Sequence, residues 1–303
     1  MTALAHLRVH CIVETPITFC TSSTVSWEEL FGEASGELHR RFEHCIHQVS
    51  PAAFSVICPH DGKALPPYIL RSPKNAASRY GAGAEFSIEL ILFPQALEYA
   101  SVIFDAIDRV GETGLGWSRG KFTRIRIEAV RSQVLPDTVW ESDTPWIDAE
   151  DLPIQVSELL QTQPPLGADI AIEFLTPTWV ETSDRDKNPD TGRVFERLIR
   201  SLLDRGGLLG LIDGPAAIPG SEQRQSIEAA AKLVQVKDSQ LSMASWHYQS
   251  LYKRRVDTHR GWLGWLRLEG DFRYLAPILW LGQWIHTGKH SSFGLGQYRL
   301  RSY

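Results

Sequence analysis

The two halves of this chain carry the same order of sequence signals. Each half opens with an apolar segment that stops at Thr-Pro, at 15–16 in the first half and at 176–177 in the second. Each half closes with a helical pattern, a Gly-Leu-Gly turn and an Arg-x-Arg segment, and the two turns stand at 114–116 and 294–296. Because the agreement covers both order and position, the sequence predicts two tandem copies of one small fold.

Strand-like and helix-like patterns alternate along the first half. The segments Leu7–Glu14 and Phe86–Leu92 have the character of strands, whereas Pro94–Gly111 places its apolar residues on one helical face. The series is strand, helix, strand, strand, helix and strand, over 7–14, 26–49, 66–70, 86–92, 94–111 and 121–127. This order predicts a ferredoxin-like (βαββαβ, RRM-like) unit.

The second half follows a similar order over longer intervals. Its predicted strands and helices are 168–175, 192–205, 222–236, 264–268, 272–286 and 297–303. We therefore expect an α+β protein with two tandem ferredoxin-like domains, residues 1–134 and 167–303, and a glycine-rich loop near the C-terminus. Residues 135–166 contain five prolines, seven acidic residues and no Lys or Arg, which predicts an acidic linker.

Composition indicates an ordinary globular protein, with 43% apolar and 22% charged residues. No run of eighteen apolar residues exists, so we expect no membrane span, and the first residues lack the pattern of a secretion signal. The cysteines at 11, 20, 45 and 58 form no CxxC pair. We therefore expect no metal site, no cofactor and a cytoplasmic protein.

Charge is distributed unevenly. The net charge is −5, but residues 251–303 contain nine Lys or Arg against three Asp or Glu. Binding of a polyanion depends on the local field, so this basic end is compatible with a nucleic-acid partner. Lys253, Arg254 and Arg255 form the densest cluster and are candidates for contacts with phosphates, with a solvated strand edge as the alternative.

The segment from Ile285 to Gln297 combines glycines, serines, a lysine and two histidines. Glycine lets the backbone approach a ligand closely, and exposed N–H groups in such a loop suit phosphate oxygens. Lys289 adds a cation, and His286 adds a group that titrates near neutral pH. These features predict a phosphate-backbone site beside an acid or base. The alternatives are a loop that only turns the chain and a histidine that only caps a helix.

The chain resembles the CRISPR repeat-processing endoribonucleases of the RAMP superfamily. The residues that carry the resemblance are 261–264, 269–271, 281–282, 285–289 and 292–296 in the second half, and 66–71, Phe86 and 114–116 in the first. The resemblance implies paired ferredoxin-like domains that bind the hairpin repeat of precursor CRISPR RNA. It also implies metal-independent cleavage of one phosphodiester, which leaves a 2′,3′-cyclic phosphate and a 5′-hydroxyl.

The resemblance also implies partners and an alternative function. Other subunits of a CRISPR effector complex are possible partners besides the RNA. A catalytically inactive RNA-binding subunit of such a complex would keep the same fold and the same loop, and it is the alternative to an enzyme.

Two sites remain candidates for the catalytic histidine. Cleavage needs a base for the 2′-hydroxyl, an acid for the leaving oxygen and cations for the phosphorane charge. His286 with Lys289 is the first candidate. His60 is the second, because one group of the resembling family carries a histidine just before the Pro-Pro-Tyr segment, and His39 is a further candidate. The residues expected to hold the RNA backbone are Gly288, His290, Ser291, Ser292, Phe293, Gly294 and Gly296, together with the basic cluster.

Overall fold

The computed structural model describes nine stretches of the chain, which are 2–19, 27–59, 65–72, 77–131, 136–144, 149–180, 191–211, 221–250 and 255–302. Within them, the side chains at 27–31, 191–192, 221–222, 246–250, 255–259 and 302 are not described. The chain divides into two compact units. We call residues 4–154 with 245–259 the N-terminal unit, and residues 1–3, 155–244 and 260–303 the C-terminal unit. The class is mixed α and β with antiparallel sheets, as expected.

Eleven strands and helices lie within the described residues of the first half of the chain. They are β1 (Ala3–Val13), β2 (Ile17–Thr18), α1 (Trp27–Val49), α2 (Pro51–Ile57), β3 (Tyr68–Arg71), β4 (Arg79–Tyr80), β5 (Glu85–Leu92), α3 (Pro94–Leu97), α4 (Ala100–Thr113), β6 (Phe122–Ala129) and β7 (Asp137–Glu141). The main sheet has the order β3-β5-β1-β6-β7, and each of these neighbours is antiparallel.

The alternation along β1 explains why this strand lies inside the sheet. Leu7, Val9 and Cys11 are fully buried in the core, whereas Arg8 and His10, on the opposite face, are only partly covered. Side chains of successive strand residues point to opposite faces, so one face carries the core and the other carries charge. Complete burial of a leucine or valine side chain contributes about 1.5–3 kcal/mol to stability.

Two helices cover the apolar face of this sheet. In α4, Ile103, Ile107 and Val110 are buried at helical spacing, and this helix packs against α1. Helix α2 begins where its sequence predicts a start, because Pro51 occupies the first turn and the Ser50 hydroxyl accepts a hydrogen bond from the Ala53 N–H at 3.2 Å. Helices α1 and α4 and the sheet thus enclose one core.

The remaining elements are β8 (Ile154–Gln155), α5 (Val156–Gln161), β9 (Asp169–Thr178), α6 (Thr191–Leu208), α7 (Ser221–Leu233), β10 (Gln235–Ser250), β11 (Arg255–Glu269), α8 (Ala276–Ile285) and β12 (Tyr298–Ser302). Their sheet has the order β10-β11-β9-β12, and β9 is antiparallel to both of its neighbours. Helices α6 and α8 pack against each other.

Two features differ from the sequence-based expectation. The sequence pattern did not predict β10, and β11 begins at Arg255 rather than at residue 264. The stretch 135–166, expected to be a linker, contains β7, which pairs with β6, as well as β8 and α5. The two compact units meet in sequence within this stretch, between Ile154 and Gln155.

Within the described part of the chain, none of the helices combines the length and the apolar character needed to span a bilayer.

Candidate functional site

Helix α8 leads directly into the glycine loop, by which we mean residues 286–297. Its residues Ile278, Leu281 and Ile285 are buried, which anchors the start of the loop in the C-terminal unit. The helix ends at Ile285, and the next residue, His286, has a φ of 57°, which lies in the left-handed region that non-glycine residues seldom adopt. The His286 N–H still donates to the Gly282 carbonyl oxygen at 3.0 Å, so the helix turn closes before the chain changes direction.

Several backbone N–H groups of the glycine loop donate hydrogen bonds within the protein. The pairs are Thr287 to Gly296 O at 3.0 Å, Gly288 to Ser201 Oγ at 3.0 Å, Lys289 to Trp179 O at 3.2 Å, Gly294 to Ser291 O at 2.9 Å and Gly296 to Pro177 O at 3.1 Å. The sequence-based expectation that these N–H groups face a phosphate is therefore wrong for these five. These five already have acceptors: two lie in the loop itself, and the others are Pro177 in β9, Trp179 just after β9 and Ser201 in α6.

Gly288 and Gly296 are required by close packing of the loop against its own chain. Their φ angles are 79° and 75°. A β-carbon at Gly288 would collide with the backbone oxygen of Trp179, and one at Gly296 would collide with the backbone oxygen of Thr287. Glycine is needed at both positions because the chain approaches itself there and because φ is positive.

His286 lies underneath the loop rather than on its surface. Its side chain is 1% exposed, and Nδ1 lies 3.0 Å from the backbone oxygen of Leu295. The imidazole thus joins the beginning of the loop to its end. The expectation of an imidazole exposed to a ligand is wrong for this conformation, and the catalytic role of His286 stays a prediction.

A buried arginine also supports the loop. Arg205, in α6, is 4% exposed, and its Nε donates to the backbone oxygen of Ile285 at 2.6 Å. Burial lowers the pKa of this guanidinium to about 9. Because the carbonyl groups in the last turn of a helix lack partners within the helix, a cationic donor there is favourable. The sequence analysis missed Arg205, which is one of four arginines in α6.

The outer edge of the glycine loop consists of Lys289, His290 and Phe293. Lys289 and His290 are exposed and Phe293 is half-buried, and the ring centroids of His290 and Phe293 lie 6.2 Å apart at a near-perpendicular angle. Ser291 and Ser292, also expected to bind RNA, are buried. Gly294 is buried as well, and its carbonyl accepts a hydrogen bond from Thr176 Oγ1 at 3.0 Å. We call the three solvent-facing residues the loop edge.

His39 lies in the core of the N-terminal unit. Its side chain is 1% exposed, Nε2 lies 2.9 Å from the hydroxyl oxygen of Tyr68, and Nδ1 lies 3.5 Å from Oε1 of Glu43. Burial raises the pKa of the Glu43 carboxyl to about 7. The arrangement is a Glu-His-Tyr chain in which the buried tyrosine hydroxyl bonds to an imidazole, so His39 does not face a ligand in this conformation.

The remaining predicted residues lie at or beyond the limits of the described stretches. His60, Lys253 and Arg254 are outside the described residues. Arg255 is the first residue of β11, and its side chain is not described. Among the described residues, no group of three or more His, Cys, Asp or Glu could hold a metal ion.

Comparison with family models assigns a description to each half of the chain. A model described as an N-terminal domain matches residues 2–152. The model of the CRISPR-associated endoribonuclease Cas6 matches residues 172–298, which includes the glycine loop. A comparison with curated proteins finds no match.

Solved structures with the same fold are similar over nearly the whole chain. A Cas6 product complex is 14% identical with a TM-score of 0.59, and the match covers 99% of this chain and 100% of that one. Thermus thermophilus Cas6 is 13% identical with a TM-score of 0.58, with 99% of each chain covered. A partial Cas6-RT-Cas1–Cas2 complex is 12% identical with a TM-score of 0.58 and covers all of this chain but 46% of that one. At these identities the likeness supports the fold.

Proposed function

We infer that this chain, a member of the Cas6 family of CRISPR-associated endoribonucleases, binds the hairpin repeat of precursor CRISPR RNA and cleaves it without a metal ion. The observation that carries this proposal is the position of the family match. It covers the glycine loop, whose edge presents Lys289, His290 and Phe293 to solvent. A cation, an imidazole and an aromatic ring together suit a ribose-phosphate chain.

The proposed fold is a tandem pair of ferredoxin-like domains. In the first sheet, β6-β1-β5-β3 places the strands in the spatial order fourth, first, third and second of a βαββαβ unit. In the second sheet, β12-β9-β11-β10 follows the same order. Strand β7 then adds to the edge of the first unit beside β6. The agreement of the two orders supports the duplication that the sequence predicts.

The proposed reaction is an attack by the 2′-hydroxyl on its own adjacent phosphorus. The bond between the 2′-oxygen and phosphorus forms while the bond from phosphorus to the 5′-oxygen breaks. A base takes the proton of the 2′-hydroxyl, and an acid gives a proton to the departing 5′-oxygen. The products are a 2′,3′-cyclic phosphate and a 5′-hydroxyl. Proton transfer of this kind contributes about 10²–10⁴-fold to a rate.

The structure suggests a division of roles among the candidate residues. Lys289 is exposed and would stabilise the negative charge on the phosphorane. His290 is the exposed imidazole of the loop, and we propose it as a candidate proton carrier. His60, from the first half of the chain, is a separate candidate for the same role. His286, which is buried against Leu295, would position the loop unless the loop opens on binding. Lys289 would also fix the register of the RNA.

Further subunits are proposed partners of the same protein. One structure with this fold is described as a Cas6-RT-Cas1–Cas2 complex, so the fold occurs within a larger CRISPR assembly in that case. For this chain we propose the RNA repeat as the primary partner, other CRISPR subunits as additional ones and the cytoplasm as the location.

One observation favours the alternative of a catalytically inactive RNA-binding subunit. Two of the three histidines predicted from the sequence to be catalytic, His286 and His39, have side chains that are 1% exposed. A binding subunit needs the shape of the glycine loop and its edge but no imidazole that reaches the RNA.

Cleavage of a repeat hairpin RNA in EDTA, followed on a denaturing gel, tests the proposal. We expect cutting at one phosphodiester, a cyclic phosphate on the upstream product and no cutting of a matched RNA with a single 2′-deoxyribose at the cleavage site. The variants His60→Ala, His286→Ala and His290→Ala, assayed separately for cutting and binding, identify the proton carrier. Tight binding of intact RNA would instead establish the alternative, and cutting of the 2′-deoxy RNA would refute the mechanism.

A further inference from the structure

The N-terminal unit contains a basic pocket remote in sequence from the glycine loop. It has a volume of about 290 Å³ and is lined by Arg40, Arg41, His44, Cys45, Thr113 and Arg119. Four of these residues belong to α1, one ends α4, and Arg119 belongs to the turn at 114–120. This volume is near the lower end of the range for pockets that bind small molecules. We call it the α1 pocket.

Positive charge predominates at the α1 pocket. The carboxylate of Glu37 accepts a hydrogen bond from Nε of Arg41 at 2.6 Å and also pairs with Arg40. Three arginines therefore line a pocket in which one carboxylate pairs with two of them. Arg109 and Glu112, which act electrostatically on Cys45 from α4, have opposite charges. The pocket thus suits a ligand with at least one negative charge.

The turn at 114–120 holds Arg119 in a conformation that ordinary side chains avoid. Its φ is 50°, which costs roughly 1–2 kcal/mol for a residue with a β-carbon. The backbone fixes this geometry, because Leu115 and Gly120 exchange hydrogen bonds at 2.8 and 2.9 Å and the Arg119 N–H donates to Gly116 O. A glycine would relieve the strain, so the arginine side chain is the feature that needs an explanation.

An exposed tryptophan extends the pocket along α1. Trp117, in the same turn, is 75% exposed, and its Nε1 donates to Oε1 of Glu33 at 2.7 Å. Glu33, Glu37, Arg41 and His44 share one face of α1, because they are separated by four, four and three residues. The indole and the basic pocket therefore lie along a single helix face, with the indole orientation fixed by a hydrogen bond.

We propose that this face of α1 binds a single-stranded segment of RNA, with a phosphate in the α1 pocket and a base stacked on Trp117. Proteins hold single strands by combining a positively charged groove with aromatic rings, and the face contains both. The inference rests on the proposed function for the identity of the polymer, but it concerns a different set of residues from the glycine loop. The segment is the unpaired RNA beside the repeat hairpin, because stacking on the indole needs an unpaired base.

Fluorescence anisotropy with two labelled RNAs tests this proposal. One RNA is the repeat hairpin alone, and the other is the same hairpin with a short single-stranded flank. The variants are Trp117→Ala and Arg119→Gly, the latter chosen because glycine accepts positive φ. The control is Arg273→Ala, which removes an exposed arginine of the C-terminal unit that pairs with Asp271. We expect Trp117→Ala to weaken binding of the flanked RNA by about 5- to 100-fold, in line with the value of one stacked base.

The salt dependence and a competition arm complete the design. Arg119→Gly should reduce the slope of log Kd against log salt for the flanked RNA by about 0.7, the value for one phosphate of a single strand. If both variants, with unchanged thermal unfolding, bind the flanked RNA as wild type does, the inference is overturned while the proposed function stands. If wild type binds neither RNA, both fail. If inorganic phosphate displaces the flank at equal phosphate concentration, the pocket is a site for free anions and the inference is overturned.

Discussion

The imidazole of His39 lies against the ring of Tyr68, with Nε2 2.9 Å from the hydroxyl oxygen and the ring centroids 5.4 Å apart. Both side chains are almost completely buried. A histidine on an amphipathic helix invites a catalytic interpretation, but here it provides a hydrogen-bond partner for a buried phenol. Since a buried hydroxyl costs free energy when it loses its partner, this pair contributes to the stability of the N-terminal unit.

His39→Ala should therefore destabilise the protein. We expect a loss of about 2–4 kcal/mol in the free energy of unfolding, from the lost hydrogen bond and the cavity. Urea denaturation measures this loss. His44→Ala, an exposed histidine on the same helix, is the matched control and should stay within about 0.5 kcal/mol of wild type. A stable His39→Ala protein that binds RNA but no longer cuts it would show instead that His39 acts in catalysis.

The raised pKa of Glu43 predicts a dependence of stability on pH. The folded-state pKa of about 7 is above the ordinary value of 4.5, so the folded protein holds a proton that the unfolded chain releases. The contribution of this carboxyl to the free energy of unfolding is therefore greatest below about pH 4.5. It falls by on the order of 3 kcal/mol as the pH rises to about 7.

Glu43→Gln removes this titration. The variant should lose less stability than wild type when chemical denaturation is repeated at increasing pH between about 5 and 7.5. Because the imidazole of His39 faces this carboxyl, the measured quantity is the difference between the two proteins at each pH. Parallel stability curves for wild type and variant would contradict the assignment.

Gly296→Ala should disrupt the glycine loop. The added β-carbon would strike the backbone oxygen of Thr287, and φ at this position is 75°. We expect a loss of at least about 2 kcal/mol in stability together with weaker RNA binding. Gly207→Ala is the control, because no atom lies within 4 Å of its β-carbon position in α6, and it should stabilise by up to about 1 kcal/mol. An undamaged Gly296→Ala protein would mean that the loop has another conformation in solution.

Lys289→Ala should affect RNA and leave stability unchanged. Its side chain is exposed, so thermal unfolding should match wild type. Loss of one phosphate contact should lower the salt dependence of RNA binding by about 0.7–0.9 in the slope of log K against log salt. A lower cleavage rate at saturating RNA would add a role in stabilising the phosphorane, and Lys289→Arg, which keeps the charge, should retain part of that rate. Unaltered binding and cleavage would remove Lys289 from the site.

The sequence predicted those elements of the fold whose apolar residues follow a local period. Alternation in β1 and the one-sided helix α4 predicted their elements because burial on one face leaves a period that can be read directly. Strand β10, Gln235–Ser250, is rich in polar residues and occupies the edge of its sheet, so it lacks the apolar alternation that identifies a half-buried strand.

The site was only partly accessible from sequence for a different reason. The glycine spacing identified the loop, but the burial of His286 depends on what covers it, and that information is distributed over distant residues. Ser201 and Trp179 accept hydrogen bonds from the loop across separations of about ninety and more residues. No local pattern reports such contacts, so the sequence predicted exposed N–H groups where the structure has satisfied ones.

The dense hydrogen bonding of the glycine loop has a consequence for recognition. The N–H groups of this loop already have acceptors, and its glycines pack closely against the loop's own chain. The loop therefore has little conformational entropy to lose when a ligand binds. The entropic cost of association then falls mainly on the incoming polymer. Affinity differences between ligands should therefore depend on how readily each ligand adopts the conformation that fits the preformed loop.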